Sequence, residues 1–387
     1  MCRILFLLPG PAPPPERTPQ KNRFYHLSRY FRGDLLQPIR RIRKYKSIET
    51  IREINAALGN FGFHFTLRNN LVGIINHIWD LLFYLCKGVY LHYFNAKYDV
   101  IIAYGPFKTG FAGFLIKIFT RTKLIIEVPG NPRKSFIFDS VTPGILNKIK
   151  TKISDFLLPF IINRANHVKL LYPKQLDGYE NIRHVKLTIF HDFTPIKSIR
   201  SSNESDKYIL FLGFPWYLKG VDILIKAFKL ISNEFPEYRL KIVGYCPDKS
   251  YFRKLAEGNN KIELCDPVFH DEAMKLMSKC ALFILPSRTE AMGRVLLEAM
   301  ASKKPIIASN VDGIPYYIKH GFNGLLFEPE NVEDLASKMK ILLSNPDYAS
   351  KLAENGHKYA HQYLSEKRYV ECFKKMVDKV LFDKKLI

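Results

Sequence analysis

The chain is poor in acids: 36 Asp and Glu face 59 Lys and Arg over 387 residues, a formal charge of +23. The deficit is confined to one half. Residues 1–200 carry 31 basic against 12 acidic side chains, and the remainder 28 against 24. A half of that sign attracts polyanions, whether anionic lipid, nucleic acid or a phosphorylated substrate, and the count alone does not choose among them. Paired cysteines are also lacking. Cys2, Cys86, Cys246, Cys265, Cys280 and Cys372 are scattered, which argues against a disulfide framework or a zinc site and fits reduced cytosolic thiols. No Asp-x-Asp occurs, so the carboxylate clamp that seats Mg²⁺ or Mn²⁺ is not indicated and no metal cofactor is expected.

Long uninterrupted apolar runs are missing too. The greasiest stretch, 71–94, is broken by Asn76, His77, Asp80, Lys87 and His92, whereas a bilayer span needs roughly 20 residues with few or no charges; a buried or half-buried helix is expected. The start, MCRILFLLPGPAPPPER, has one base and an apolar run of about five residues before a proline-rich turn, so it reads as a buried strand and its exit loop rather than a signal peptide. With 21 Gly and 23 Pro among 47% hydrophobic residues, the composition is globular, and the length suits two or three domains.

What is present is an alternation of short β-branched runs with helical stretches. Strands are predicted over 2–10, 98–105, 123–130, 167–173 and 185–190, then over 207–214, 238–244, 261–264, 280–287, 303–310 and 323–329. HLSRYF, VDILIKAFKLIS, HDEAMKLMSK and NVEDLASKMKILLS read as helices between them. Such βαβ alternation predicts parallel sheets, and the polar, Ser-rich stretch 197–207 reads as a linker. The fold class expected is therefore α/β, two Rossmann-like domains facing each other across a cleft.

One segment concentrates chemistry. In RTEAMGRVLLEAMASKKPIIASN (288–310), a predicted strand ends at Ser287, a turn follows, and a helix begins near Gly293. The free N–H groups and positive dipole end of such a helix seat phosphate. Glu290 lies in the turn, where its carboxylate accepts from sugar hydroxyls or positions a cation. Glu298 lies about 7.5 Å along the helix axis, the reach from a diphosphate to a nucleoside ribose, and acids are the usual readers of ribose hydroxyls.

Here the chain resembles the retaining nucleotide-sugar glycosyltransferases of the GT-B fold, family four, whose group 1 domain carries Glu, seven residues, then Glu. The match is E290-AMGRVLL-E298, continuing through DGIP (312–315) and NGLL (323–326), with ILFLGFPWYLKGVDILIKAF (209–228) and IVGY (242–245) also similar. The likeness covers about 207–365 and is loose before it. It implies an N-terminal acceptor-binding domain over 1–196, a nucleotide-sugar domain over 207–365, and a helix over 366–387 packing back on the first domain. It also implies that Glu290 contacts the donor sugar, that backbone near Gly293, Arg294 and Val295 meets the diphosphate, that Glu298 binds ribose and that Lys219 neutralises the diphosphate. A lysine suits a departing diphosphate on physical grounds as well. The donor expected is a UDP-sugar, acting as substrate rather than cofactor.

Departures from the pattern leave gaps. Phe214 stands where the family has an arginine, and Arg288, Arg294 or a residue of the first domain could substitute for it. Pro129 stands where a histidine faces the cleft. Of the loop after the first strand only Gly10 and NRFYHL (22–27) resemble family forms. The resemblance implies retaining transfer without a hydrolase-type base, the donor phosphate itself taking the acceptor proton on the same face, so that the enzyme works by orientation and by stabilising the departing diphosphate.

For the basic first half, 145–160 offers a further reading. Leu146, Ile149, Ile153, Phe156, Leu157 and Phe160 recur at helical spacing with Lys148, Lys150 and Lys152 between them. This is the pattern either of a helix lying in a lipid interface, where each base near anionic lipid adds roughly 1 kcal/mol, or of a surface helix with its stripe in the core. RRIRKYK (40–46) favours an anionic partner. The function expected is sugar transfer to a lipid-linked or cell-envelope glycan by a cytoplasmic enzyme peripheral on the inner membrane face. The alternatives are a nucleotide-sugar epimerase, a disaccharide-forming transferase, or a nucleic-acid-binding protein, for which no accompanying motif is present.

Overall fold

The computed structural model describes residues 1–10, 15–40, 48–68, 73–137, 145–183, 185–202 and 205–382. The first sheet contains β1 (Cys2–Leu7), β2 (Phe31–Arg40), β3 (Phe61–Arg68), β4 (Val100–Tyr104), β5 (Lys123–Glu127), β6 (His167–Leu170) and β7 (Leu187–Ile189). They are all parallel, in the order β3-β2-β1-β4-β5-β6-β7. A second parallel sheet contains β8 (Tyr208–Leu212), β9 (Arg239–Val243), β10 (Ile262–Cys265), β11 (Leu282–Leu285), β12 (Ile306–Ser309) and β13 (Leu325–Phe327), in the order β10-β9-β8-β11-β12-β13. Strands buried on both faces explain the continuous apolar runs: Tyr208–Leu212 and Leu282–Leu285 are buried at every position. In each sheet the order reverses once, between β1 and β4 and between β8 and β11, and a parallel α/β sheet opens its binding crevice at the carboxyl ends of such strands.

Two strands of the first sheet were not expected. HLSRYF is no helix beyond Leu27; the helix is Arg23–Leu27, and Phe31 already opens β2. Gly33 and Pro38 disguise this strand. Gly33 lies against the Ile4 carbonyl, where a Cβ would stand only 1.8 Å away, and Pro38 falls past the β1 pairing, which ends at Leu36, so its missing N–H removes no bond to β1.

The greasy stretch forms the helix Gly73–Phe94, with Asp80, Tyr84 and Leu91 buried. Among the described residues no helix is long and apolar enough to cross a membrane. The basic run 40–46, beyond Arg40, lies outside the described residues. Between the sheets, Ile196 opens a 3-10 turn and is buried in the second core beside Leu171 and Tyr172, so the polar linker begins from an anchored residue.

The last helix, Glu366–Phe382, returns to the first sheet. Its Tyr369, Val370, Phe373, Met376, Val377 and Val380 join the core of Ile4, Phe6 and Phe31. Phe373 lies 6.1 Å from Phe6 and 5.6 Å from Phe31, ring to ring. Removing a buried aromatic ring costs about 3–5 kcal/mol. Phe373→Ala should therefore lower the thermal midpoint by that equivalent, whereas the exposed Phe382→Ala should leave it nearly unchanged; a melting curve distinguishes them.

Candidate active site

The carboxyl ends of β8 and β11 face the first domain, and each is followed by a tight loop into a helix. After β8 the loop 213–220 enters Val221–Ile231 through Gly220 at φ +69°, where a Cβ would meet the Pro286 carbonyl at 1.9 Å. Only glycine allows that approach, which brings Lys219 against the loop after β11. There Gly293, at φ +67°, starts Arg294–Ala301 with no side-chain cap; the Leu296 N–H turns back to the Gly293 carbonyl at 2.7 Å, which leaves the Arg294 and Val295 N–H groups without a partner among the described residues, beside the cleft.

Lys219 and Glu290 meet between these loops: Lys219 Nζ donates to Glu290 Oε2 at 2.5 Å, both side chains mostly buried. Asp312 and Gly313 hold the Glu290 turn. Thr289 Oγ1 and the Glu290 N–H donate to Asp312 Oδ2 at 2.5 and 3.3 Å, the Gly313 N–H donates to the Glu290 carbonyl at 3.0 Å, and Lys134 of the first domain pairs with Asp312. The Asp-Gly-Ile-Pro stretch is thus a scaffold for the acid. A cavity of ≈ 330 Å³ lies beside the pair, lined by Gly213, Phe214, Lys219, Glu290, Gly293, Arg294 and Val295, with Tyr104, Pro129 and Asp192 on the opposite side.

Of the two arginines near the pair, Arg288 is engaged elsewhere and Arg294 lines the cavity. Arg288 is locked, its guanidinium donating twice to Asp222 at 2.8 Å, to the Tyr217 carbonyl at 2.5 Å and to Glu330 at 2.7 Å. Its work is structural, tying the loop after β11 to the helix after β8. Arg294 is exposed, lines both this cavity and its neighbour, and makes no hydrogen bond or ion pair among the described residues.

Glu298 is 7% exposed and accepts from His270 at 3.3 Å. That hydrogen bond raises the His270 pKa above its ordinary 6.5, against partial burial and the neighbouring Lys21 and Arg294 charges. His270, with Lys21, Arg23 and Arg294, lines a second cavity of ≈ 370 Å³ that continues the cleft past Leu8 and Pro9. Gly10 is not brought to the cleft lining: its carbonyl accepts from Lys108 and its Cα packs on Pro38.

Sequence reading missed the floor of the cleft. At the carboxyl ends of β4, β5, β6 and β7 stand Tyr104, Glu127, Lys169 and, just beyond, Asp192. Asp192 pairs with Lys169 and accepts from the Tyr104 hydroxyl at 2.9 Å; Glu127 lies 3.6 Å from Lys169 and 3.5 Å from Arg23. Burial disfavours the Asp192 carboxylate, but the Lys169 charge and hydrogen bond, then Arg23 and Tyr104, hold its pKa below the usual range. Burial pushes adjacent His191 down to about 4, so it is neutral at pH 7. Polar residues at strand carboxyl ends were the available signal. Among the described residues no group of three His, Cys, Asp or Glu side chains could hold a metal ion.

Two outcomes follow. Arg288→Ala strands Asp222 and should cost about 3–5 kcal/mol, read as a lowered midpoint in denaturant. The His270 titration followed by NMR should have its midpoint above 6.5, falling in Glu298→Gln. Because the folded value is the higher one, stability from this pair is complete below the ordinary 6.5 and is lost as pH rises through the folded value.

Comparison with known proteins agrees with this architecture. Residues 192–359 match the family described as glycosyl transferases group 1. An uncharacterized glycosyltransferase of Methanocaldococcus jannaschii is 31% identical over 274 residues, 70% of this chain and 72% of that one. Sucrose-phosphate synthase of Thermosynechococcus elongatus superposes with a TM-score of 0.77 at 15% identity, over 99% of this chain and 100% of that one. HepE of Anabaena, in complex with UDP and glucose, does so at 0.70 and 16%, over 98% and 100%. The chain belongs to the group 1 glycosyltransferases and has the GT-B fold.

Proposed function

We propose that this glycosyltransferase moves a sugar from a nucleoside-diphosphate donor, a UDP-sugar, to a hydroxyl of a lipid-linked or cell-envelope glycan, with retention at the anomeric carbon. The observation that carries the reading is the Lys219–Glu290 pair beside the uncapped amino end of Arg294–Ala301. A diphosphate seated there meets the N–H groups of the first turn, the Lys219 ammonium and the Arg294 guanidinium. Glu290 then faces the donor sugar and Glu298 the ribose, while the first domain presents the acceptor across the cleft.

In the transfer step the bond from anomeric carbon to phosphate oxygen breaks and the acceptor oxygen bonds on the same face. The acceptor proton passes to the departing phosphate oxygen, so charge gathers on the diphosphate. Cations and helix N–H groups already aimed at it stabilise that charge without reorganising. Of the acids that line the cavity, Glu290 pairs with Lys219 and Asp192 with Lys169. UDP is favoured because HepE, of the same fold, is seen with it.

A thermal-shift screen of UDP-, GDP- and ADP-sugars tests the donor. The right one at a hundred times its Kd adds about 2.7 kcal/mol of stability. Turnover is read as diphosphate released only when acceptor is present, with the product anomer assigned by NMR. Lys219→Ala should lower kcat about 10²–10³-fold, and Glu298→Ala should abolish turnover with the fold intact. Full turnover in Glu298→Ala would overturn the ribose assignment, and diphosphate release without acceptor would favour an epimerase.

A further inference from the structure

Helices Gly73–Phe94, Lys108–Thr120 and Ile145–Ile162 pack together over the first sheet. The first buries Asp80, Tyr84 and Leu91. Its other side holds Ile75, Ile78, Trp79, Leu82, Tyr90 and Tyr93, each between 48% and 58% exposed. They recur at helical spacing along a helix about 33 Å long, where a water-facing surface would carry charge. An apolar stripe of this extent marks an interaction site.

The patch continues onto the neighbouring helices. The Tyr93 hydroxyl donates to the Phe119 carbonyl, and Ile118 and Phe119 are exposed beside it. Phe114 meets Phe160 at 5.9 Å, Phe160 stacks on Phe156 at 6.3 Å, and Ile149, Ile153 and Phe156 are exposed. The stripe of the third helix thus stays out of the core: these three are exposed, Leu157 and Phe160 are half-buried, and the core is reached instead by Leu158 and Ile161, which lie outside the stripe.

Charge identifies the occupant. The three helices hold Lys87, Lys108, Lys117, Lys148, Lys150 and Lys152 but only two acids, Asp80, buried under Lys108, and Asp155, 3.6 Å from Arg133. Aromatic side chains with polar tips, aliphatic side chains and lysines without acids are the composition of a surface seated in lipid headgroups. Protein interfaces, by contrast, are depleted of lysine. We propose that the outward face of Gly73–Phe94, with the lysines of Ile145–Ile162, docks the protein on an anionic lipid bilayer.

The geometry gives docking a use. In a parallel α/β sheet the helix amino ends lie at the edge where the strands' carboxyl ends open the crevice. Ile75, Ile78 and Trp79 therefore stand near the edge bearing Leu8, Pro9 and Tyr104, and the cleft mouth would open beside the headgroups. Only this last point rests on the lipid-linked acceptor of the proposed function.

Co-sedimentation of the full chain with phosphatidylcholine vesicles, with and without phosphatidylglycerol, tests docking. The expected result is binding about tenfold or more tighter to the anionic vesicles, loss of binding in the triple variant Ile78→Ser, Trp79→Ser, Leu82→Ser, and loss of the anionic preference in Lys148→Gln, Lys150→Gln, Lys152→Gln. UDP-sugar thermal shifts unchanged in both variants would show that the donor site is separate, so failure there bears on the transfer reading alone. Equal partitioning of the wild type and the lysine variant, or sedimentation velocity showing a dimer that the serine variant dissolves, would overturn the proposal.

Discussion

Lys219 and Glu290 are 71 positions apart and meet at 2.5 Å, and the organisation of the second domain serves that meeting. The two loops follow strands that are neighbours at the point where the sheet order reverses. Gly220 lets one loop approach the Pro286 carbonyl, and Arg288, buried between Asp222 and Glu330, ties the other to the adjacent helix. In the proposed reading, a diphosphate would share the Lys219 ammonium with Glu290, and neither side chain would have to leave the cleft. Preorganisation of this kind is where transfer catalysis gains most.

The first domain contributes a different kind of order. Tyr104, Glu127, Lys169, Asp192 and Arg23 form a buried network under the cleft, in which each charge has an opposite neighbour. Such groups are costly to bury singly and tolerable only in combination. Contacts between the domains include Lys134 to Asp312, Lys21 to Asp271, the Asp192 N–H to Met292 Sδ and the Tyr317 hydroxyl to the Leu171 carbonyl, and Leu171 and Tyr172 enter the second core. These links and the returning Glu366–Phe382 helix join the two sheets beside the cleft.

Legibility followed the range of the interactions. The second domain was readable because β8 and β11 are continuous apolar runs and Glu290, Gly293 and Glu298 lie within one short segment, although Lys219 stands far from them in the chain. β2 escaped because Gly33 and Pro38 imitate turn signals when only local sequence is considered, and Gly59 and Gly62 do the same at the start of β3. The same limit applied to Arg288, whose charge suggested a phosphate ligand until Asp222 was seen to occupy it. Pro129 and Phe214 line the cavity beside Lys219 and Glu290, where the resemblance implied a histidine and an arginine.

The α/β alternation, the helix start at Gly293, the spacing of Glu290 and Glu298 and the uneven charge were already set by the amino-acid order, since all of these are periodicity, spacing or counting. Tertiary structure alone decided which cation is free, which acid meets which base, what lies under the cleft, and which apolar residues of Gly73–Phe94 stay outside the core. The reason is physical: a side chain's charge and burial are set by neighbours that the fold brings from far along the chain, and no local pattern carries their identity.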